Sequence, residues 1–217
     1  MVCFSRDVTR PGDIFTTSET KPDFFDDFED GLDDAWTIEP IQQIDPDTLE
    51  AEWIGDKGRA RVSGQAVGDK QACGLITIGD AAWDRMAVDF DLAMSSAKDD
   101  VLAVIPNYDR SRLMKTGQAG EALKYVVVIA CNPEKDACGI YFSGVSNSDV
   151  ILKTKPSHIR IEISGKKVRV LADDQLVYDY GLGQSLAGKI GVLVCASKAA
   201  NSPPTSIDNF RISPLQP

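Results

Sequence analysis

The run Asn107-Tyr108-Asp109-Arg110-Ser111-Arg112 places a ring, an amide, a carboxylate and two guanidinium groups within six residues. Proteins hold sugars with such a set, the ring stacking on a pyranose face and the polar groups meeting its hydroxyls. A strand that runs into a long loop would present them. Asn107, Tyr108, Asp109, Arg110 and Arg112 are therefore the candidate ligand residues, with Tyr141, Asn147 and Trp53 as further ones. The competing reading for Tyr108 is an aromatic at a strand end, packed beneath the loop. Asp89 and Asp91 have the two-residue spacing that would put paired carboxylates on one strand face. The favoured reading for them is the solvated outer face of an amphipathic strand. His158, the only histidine, opens a strand beside Pro156 and reads as a surface or edge residue rather than a general base. With no Ser–His–Asp or Cys–His pairing and no Cys/His metal cluster, no catalytic residue is assigned.

The elements that position these groups are strands. Between residues 83 and 94, Met86, Val88, Phe90 and Leu92 point one way, and Arg85, Ala87, Asp89 and Asp91 the other. The same period returns in Ile159, Ile161 and Ile163, in Val168 and Val170, and in Ile190, Val192 and Val194. Ser164-Gly165-Lys166 and Asp173-Asp174 read as tight hairpin turns. Residues 125–131 are apolar on both faces and fit a central strand. Residues 40–52 and 111–122 read as irregular, the second a loop or one short helix. Residues 1–22 read as an arm or tail, and 23–217 as a single domain. Many short strands with Gly and Asp turns argue for an all-β sandwich or jelly roll of two antiparallel sheets.

Composition narrows the partners. The 217 residues include 33 acidic and 23 basic ones, a formal charge of −10. That charge repels phosphate backbones and anionic membrane surfaces, which argues against nucleic acid. No apolar run is long enough to span a bilayer, and the first 22 residues lack the apolar core of a signal peptide. The chain as given reads as cytoplasmic, the alternative being a secreted or periplasmic protein whose signal was removed. The five cysteines, Cys3, Cys73, Cys131, Cys138 and Cys195, fit reduced thiols or up to two bridges and a spare. Cys131 and Cys138 flank a hairpin loop at 132–137. Unpaired thiols at strand ends are the favoured reading there, and a bridge the alternative in an oxidising compartment.

Ordered motifs cover residues 24–213. They begin with Phe25-Asp26-Asp27-Phe28, Trp36 and Arg61-Val62-Ser63-Gly64, followed by Gly74-Leu75-Ile76 and the 83–92 strand. His158 to Val168, Gly188-Lys189-Ile190-Gly191-Val192 and Ile207-Asp208-Asn209-Phe210-Arg211-Ile212 complete the series. In order and spacing the chain resembles the concanavalin-A-like (laminin-G/glucanase) jelly-roll superfamily. Within it, the chain looks most like the bacterial 3-keto-disaccharide hydrolase-like domains. The resemblance implies first and last strands lying side by side. It also implies one calcium on the convex side, held by hard oxygen donors: the Asp208 carboxylate, the Asp27 carbonyl and the Gly64 carbonyl. Glucanases of the superfamily carry a Glu-x-Asp-x-x-Glu strand, the close carboxylate pair a retaining mechanism needs. Glu134-Lys135-Asp136 only imitates it, without the second Glu and in an expected loop.

The expectation is a non-catalytic, calcium-stabilised, lectin-like module that binds a glycan or a protein partner. The alternatives are a saccharide-active hydrolase or lyase with acidic residues on the concave face, and a structural or assembly protein that docks through its arm.

Overall fold

The structure is a computed structural model that describes residues 21–41, 48–63, 67, 70–95, 100–110, 125–132, 137–143, 150–152, 154–196 and 204–215. The expected arm, the 111–122 segment, Gly64, Arg112, Glu134, Asp136 and Asn147 all fall outside the described residues. Within them, the chain forms two eight-stranded sheets packed face to face.

The first sheet runs β14 (Gln175–Gly181), β13 (Lys167–Ala172), β12 (His158–Ser164), β7 (Arg85–Ala93), β16 (Ser206–Pro214), β5 (Ala60–Ser63) and β4 (Glu52–Gly55). Here β1 (Phe24–Asp26) pairs with the end of β16, Phe25 opposite Arg211. The first and last strands are therefore neighbours, as the resemblance implied. The second sheet runs β11 (Val150–Leu152), β10 (Ala137–Phe142), β9 (Val127–Asn132), β8 (Val101–Tyr108), β15 (Lys189–Ala196), β6 (Ala72–Ile78) and β2 (Thr37–Glu39). Pairing is antiparallel except at the two-residue β3 (Leu49–Glu50), which lies parallel to β6. No described helix is long and apolar enough to cross a membrane.

The two-residue period decides which side chains meet between the sheets. Phe90, Ile161, Val192 and Phe210 are all buried there, with Trp36 and Trp83. Phe90 stacks on Phe210 at 6.1 Å between ring centroids, and Trp36 meets Phe210 edge-on at 5.0 Å. The second sheet is apolar on its other face as well, where Leu75, Ile105, Val126 and Val128 are buried. That two-sided burial is why residues 125–131 carry no polar alternation.

Two disulfides form, Cys73–Cys195 and Cys131–Cys138. This corrects the expectation of unpaired thiols at Cys131 and Cys138. The cause is register: Cys131 faces Cys138 across β9 and β10, and Cys195 faces Cys73 across β15 and β6. Sequence spacing gives no hint of the second pair, whose members are 122 residues apart.

Candidate functional site

At the Ser206 end of the first sheet a cleft of about 370 Å³ opens, lined by Arg59, Asp91, Leu92, Ala93, Ser157, Ser206 and Asp208. Its floor is the β7–β16 pair, whose register sets Ser206 opposite Ala93 and Asp208 opposite Asp91. Past Asp208 the ladder is broken by a bulge, with Asn209 in the left-handed region at φ 49°. That irregularity turns the amide of Asn209 onto Asp91, Nδ2 donating to Oδ2 at 2.9 Å. The Asn209 backbone N–H donates to Asp208 Oδ1 at 2.6 Å.

The lip of the cleft is held by a turn. Asp173 and Asp174 form the two-residue link between β13 and β14, both with positive φ. This turn carries Asp173 back over the start of β12. Its Oδ1 accepts from the Ser157 N–H, the Ser157 hydroxyl and the His158 N–H, each at 2.9 Å. The Ser157 carbonyl in turn accepts from the Leu92 N–H at 2.8 Å. Burial alone would raise the Asp173 carboxyl, but the bonds from Ser157 and His158 outweigh it and hold the group below the usual carboxylate range.

Behind the cleft a polar network crosses the outer face. His158 Nδ1 bonds Asp91 Oδ1 at 2.9 Å, and Arg160 Nη1 bonds both oxygens of Asp89 at 2.8 Å. Arg160 Nε continues to Glu162, and Glu162 to Arg169. The hydrogen bond from His158 holds the Asp91 carboxyl below its ordinary range, against the opposing effect of burial and with help from Asn209. Asp89 and Asp91 thus share the expected outer face, but each is bonded in place rather than freely solvated. His158 is at the strand start, as expected, and orients Asp91.

Three groups in the cleft keep bonding capacity. Arg59 is exposed and in no ion pair among the described residues, although two carboxylates line the same cleft. Ser206 is buried, yet its hydroxyl has no protein partner among the described residues. Asp208 keeps one carboxylate oxygen beyond its bond to Asn209. The set can donate to and accept from neighbouring hydroxyls on one small ligand. Sequence reasoning missed Arg59, Ser157 and Ser206, which lie far apart in the chain and have no periodic signal.

The other sequence candidates are placed differently. Tyr108 is buried on the far face of the second sheet, against Ile41 and Ile105, so its ring is not free to stack on a sugar. A bulge in β8, where the three steps from Ile105 to Tyr108 face the two from Lys189 to Gly191, with Asn107 at φ 59°, turns it inward. Burial pushes the Tyr108 phenol up, and the nearby Glu39 carboxylate adds to this. Its hydroxyl makes no hydrogen bond of ordinary geometry. Glu39, itself buried, accepts from the Thr77 hydroxyl at 3.3 Å and pairs with Arg110 at 3.6 Å. Asn107 and Asp109 flank this packed cluster, half-buried. Trp53 is a core residue, with only 4% of its surface exposed, and Tyr141 packs half-buried on the outer cluster.

Of the calcium donors implied by resemblance, Asp208 faces the cleft beside Arg59. Asp27 is exposed, and its carboxylate accepts from the Glu29 N–H at 3.2 Å. The Asp27 carbonyl lies against Gly58, 3.7 Å from where a Cβ would stand, and Glu29 Oε1 is 2.9 Å from that point. The Asp27 carbonyl beside Gly58 and the Asp208 carboxylate in the cleft that Arg59 lines are both oxygen donors, the type calcium takes. Among the described residues no three His, Cys, Asp or Glu side chains converge on one point.

No family model and no curated protein sequence matches the chain. Solved structures do. A Bacillus licheniformis β-glucanase superposes with a TM-score of 0.61 at 12% identity, covering 91% of this chain and 100% of that one. The catalytic domain of an endo-1,3-β-glucanase (laminarinase) from Thermotoga petrophila gives 0.58 at 12% identity, over 88% and 96% of the two chains. An endo-β-galactosidase from Clostridium perfringens gives 0.57 at 15%, over 93% and 64%. The chain has the concanavalin-A-like jelly-roll fold. At such identities the likeness establishes the fold of this jelly roll and nothing finer. The narrower resemblance to 3-keto-disaccharide hydrolase-like domains rests on the motifs alone.

Proposed function

We propose that this jelly roll is a non-catalytic, calcium-stabilised module that binds a glycan in the cleft formed by Arg59, Asp91, Asp208, Ser157 and Ser206. The observation that carries the reading is that cleft. It offers an unpaired guanidinium, a part-free carboxylate and the hydroxyl of Ser206, on a fold shared with enzymes named for their action on glucans and galactosides. Binding without turnover is favoured by the electrostatics. A glycosidase needs a carboxylic acid kept protonated by a raised pKa, and Asp91 is displaced the opposite way. Calcium, when bound, would offset acidic charge and tie the end of β1 to β16. The Asp27 carbonyl and the Asp208 carboxylate are the donors offered for it. Two disulfides favour the secreted or periplasmic setting over a reducing cytoplasm.

The test is nuclear magnetic resonance titration with a panel of neutral oligosaccharides, with and without chelator. Saturable shifts should appear at the Leu92, Ala93 and Ser206 amides, and Arg59→Ala and Ser206→Ala should weaken them while leaving the melting temperature unchanged. No saturable shift from any glycan, or release of reducing ends from one, refutes the reading. For calcium, chelation should lower the melting temperature and Asp208→Ala should abolish that response. An ion present at about 100 times its dissociation constant adds roughly 2.7 kcal/mol. A melting curve unmoved by chelator removes calcium from the account.

A further inference from the structure

The outer face of the first sheet holds one aromatic where a solvated strand would normally place a polar residue. Phe25 lies 47% exposed at the middle of β1, beside the buried Asp26. Its strand partner Arg211 sets its guanidinium over the ring, 5.1 Å from the centroid. Such a contact fixes the orientation of an otherwise free ring. The register connects this ring to the cleft. Arg211 is opposite both Phe25 and Asp89, so all three share the outer face. Across the bulge at Asn209 the same face continues to Asp208 and Asp91, which line the cleft. One strand step and two or three residues separate ring and cleft, about 10 Å at the usual spacings of a sheet. A single pyranose seated in the cleft does not cover that distance, and a short chain does. Between the two lies Asn209, exposed, its amide bonded to Asp91.

We propose that Phe25, steadied by Arg211, is a stacking subsite for a glycan chain whose end unit occupies the cleft, so that the ligand is an oligosaccharide laid across β16. The inference rests on the cleft being a glycan site. It adds a chain-length requirement and a specificity-determining residue outside the cleft. The ring supplies the apolar face that the cleft lacks, since Leu92 and Ala93 are the only apolar residues among its described lining and Leu92 packs its side chain in the core. The ring is tolerant of sugar identity, since glucose and galactose pyranoses alike present a face of C–H groups to it. The negative net charge and the two cleft carboxylates favour a neutral chain over an acidic one.

The experiment titrates the whole chain with methyl β-glucoside against laminaritriose, and with methyl β-galactoside against β-1,4-galactotriose. Phe25→Ala, Phe25→Trp and the wild type are compared. The expected result is a trisaccharide bound roughly tenfold more tightly than its glycoside by wild type, the gain of one aromatic stacking contact. Phe25→Ala should lose that gain yet bind the glycoside unchanged, and Phe25→Trp should keep it. Shifts at Phe25 and Arg211 should appear with the trisaccharide alone. If the glycosides bind and the trisaccharides bind no better, or Phe25→Ala keeps the gain, the subsite is wrong and the cleft stands. If neither glycosides nor trisaccharides bind, the cleft reading fails for glucans and galactans and the subsite fails with it.

Discussion

Asp26 shows how one side chain can fix where the sandwich begins. Its carboxylate is buried and accepts from the Phe28 N–H at 2.8 Å, the Asp33 N–H at 3.0 Å and Trp36 Nε1 at 2.8 Å. Those bonds close the turn after β1 and seat Trp36 against Phe24 and Phe210. Hydrogen bonds to a charged acceptor contribute more than neutral ones, and the buried donors left behind have no substitute. Asp26→Ala should therefore cost about 3 kcal/mol in denaturant unfolding, while Asp27→Ala, which removes one exposed bond, should cost less than about 1 kcal/mol. Equal losses would mean that Asp26 does not organise this end. Asp91 and Asp173 make a second expectation at this scale. Both carboxyls titrate lower in the folded protein than in an unfolded chain. Their stabilisation is complete above the ordinary carboxylate range near pH 4 and disappears as pH falls through the lowered folded values. Melting temperatures measured from pH 7 to 2 should fall below about pH 4, and Asp173→Asn should flatten that fall. An unchanged acid slope in the variant would show that the Ser157 and His158 bonds carry no linkage. The sequence disclosed the Asp89–Asp91 spacing but not their partners, because His158, Arg160 and Asn209 reach them only through strand pairing.

Among the elements, the strands with a two-residue period were legible: β7, β12, β13 and β15 bury the residues their period selects, while in β16 the bulge at Asn209 shifts the period before Phe210 and Ile212. Residues 40–52 look irregular because β3 has only two residues, too few to show a period. Tyr108 looks like an open loop aromatic because nothing local reveals the bulge that turns it under Gly191. The hairpins were legible from their turn residues, and one of them permits a prediction. Asp174 sits at φ 62° in the second position of a two-residue turn that suits glycine there. A non-glycine residue in the left-handed region costs of order 1 kcal/mol, partly offset by the greater freedom glycine has when unfolded. Asp174→Gly should therefore stabilise the protein by about 0.5 kcal/mol, a rise of a degree or two in the melting temperature. Asp173→Gly should lower it, since Asp173 also holds Ser157 and His158. A lowered melting temperature for Asp174→Gly would show that its carboxylate has a role no turn argument captures.

At the scale of the molecule, the two disulfides constrain very different lengths of chain. Both link adjacent strands of the second sheet, so in the folded state each joins residues the ladder already holds opposite one another. Their stabilising effect then acts mainly on the unfolded chain, by removing conformations open to it. Cys131–Cys138 closes a loop with a separation of 7 residues, and Cys73–Cys195 one of 122. In the chain-entropy account these correspond to about 2.5 and about 5 kcal/mol. The longer bridge also ties β6 to β15, neighbouring strands of the second sheet that come from opposite halves of the sequence. Without it, that contact must be found across most of the chain, which slows folding of a topology already rich in distant pairings. Replacing Cys73 and Cys195 together by serine should therefore destabilise more than replacing Cys131 and Cys138, by about 2 kcal/mol, and should lower the refolding rate. The measurement is equilibrium and stopped-flow unfolding of both double variants under non-reducing conditions. Equal losses in the two would show that the bridges act through folded-state packing, since Cys138 is as deeply buried as any core residue. A larger loss for Cys131 and Cys138 would place the weak point of the sheet at its β9–β10 hairpin rather than at the β6–β15 pair.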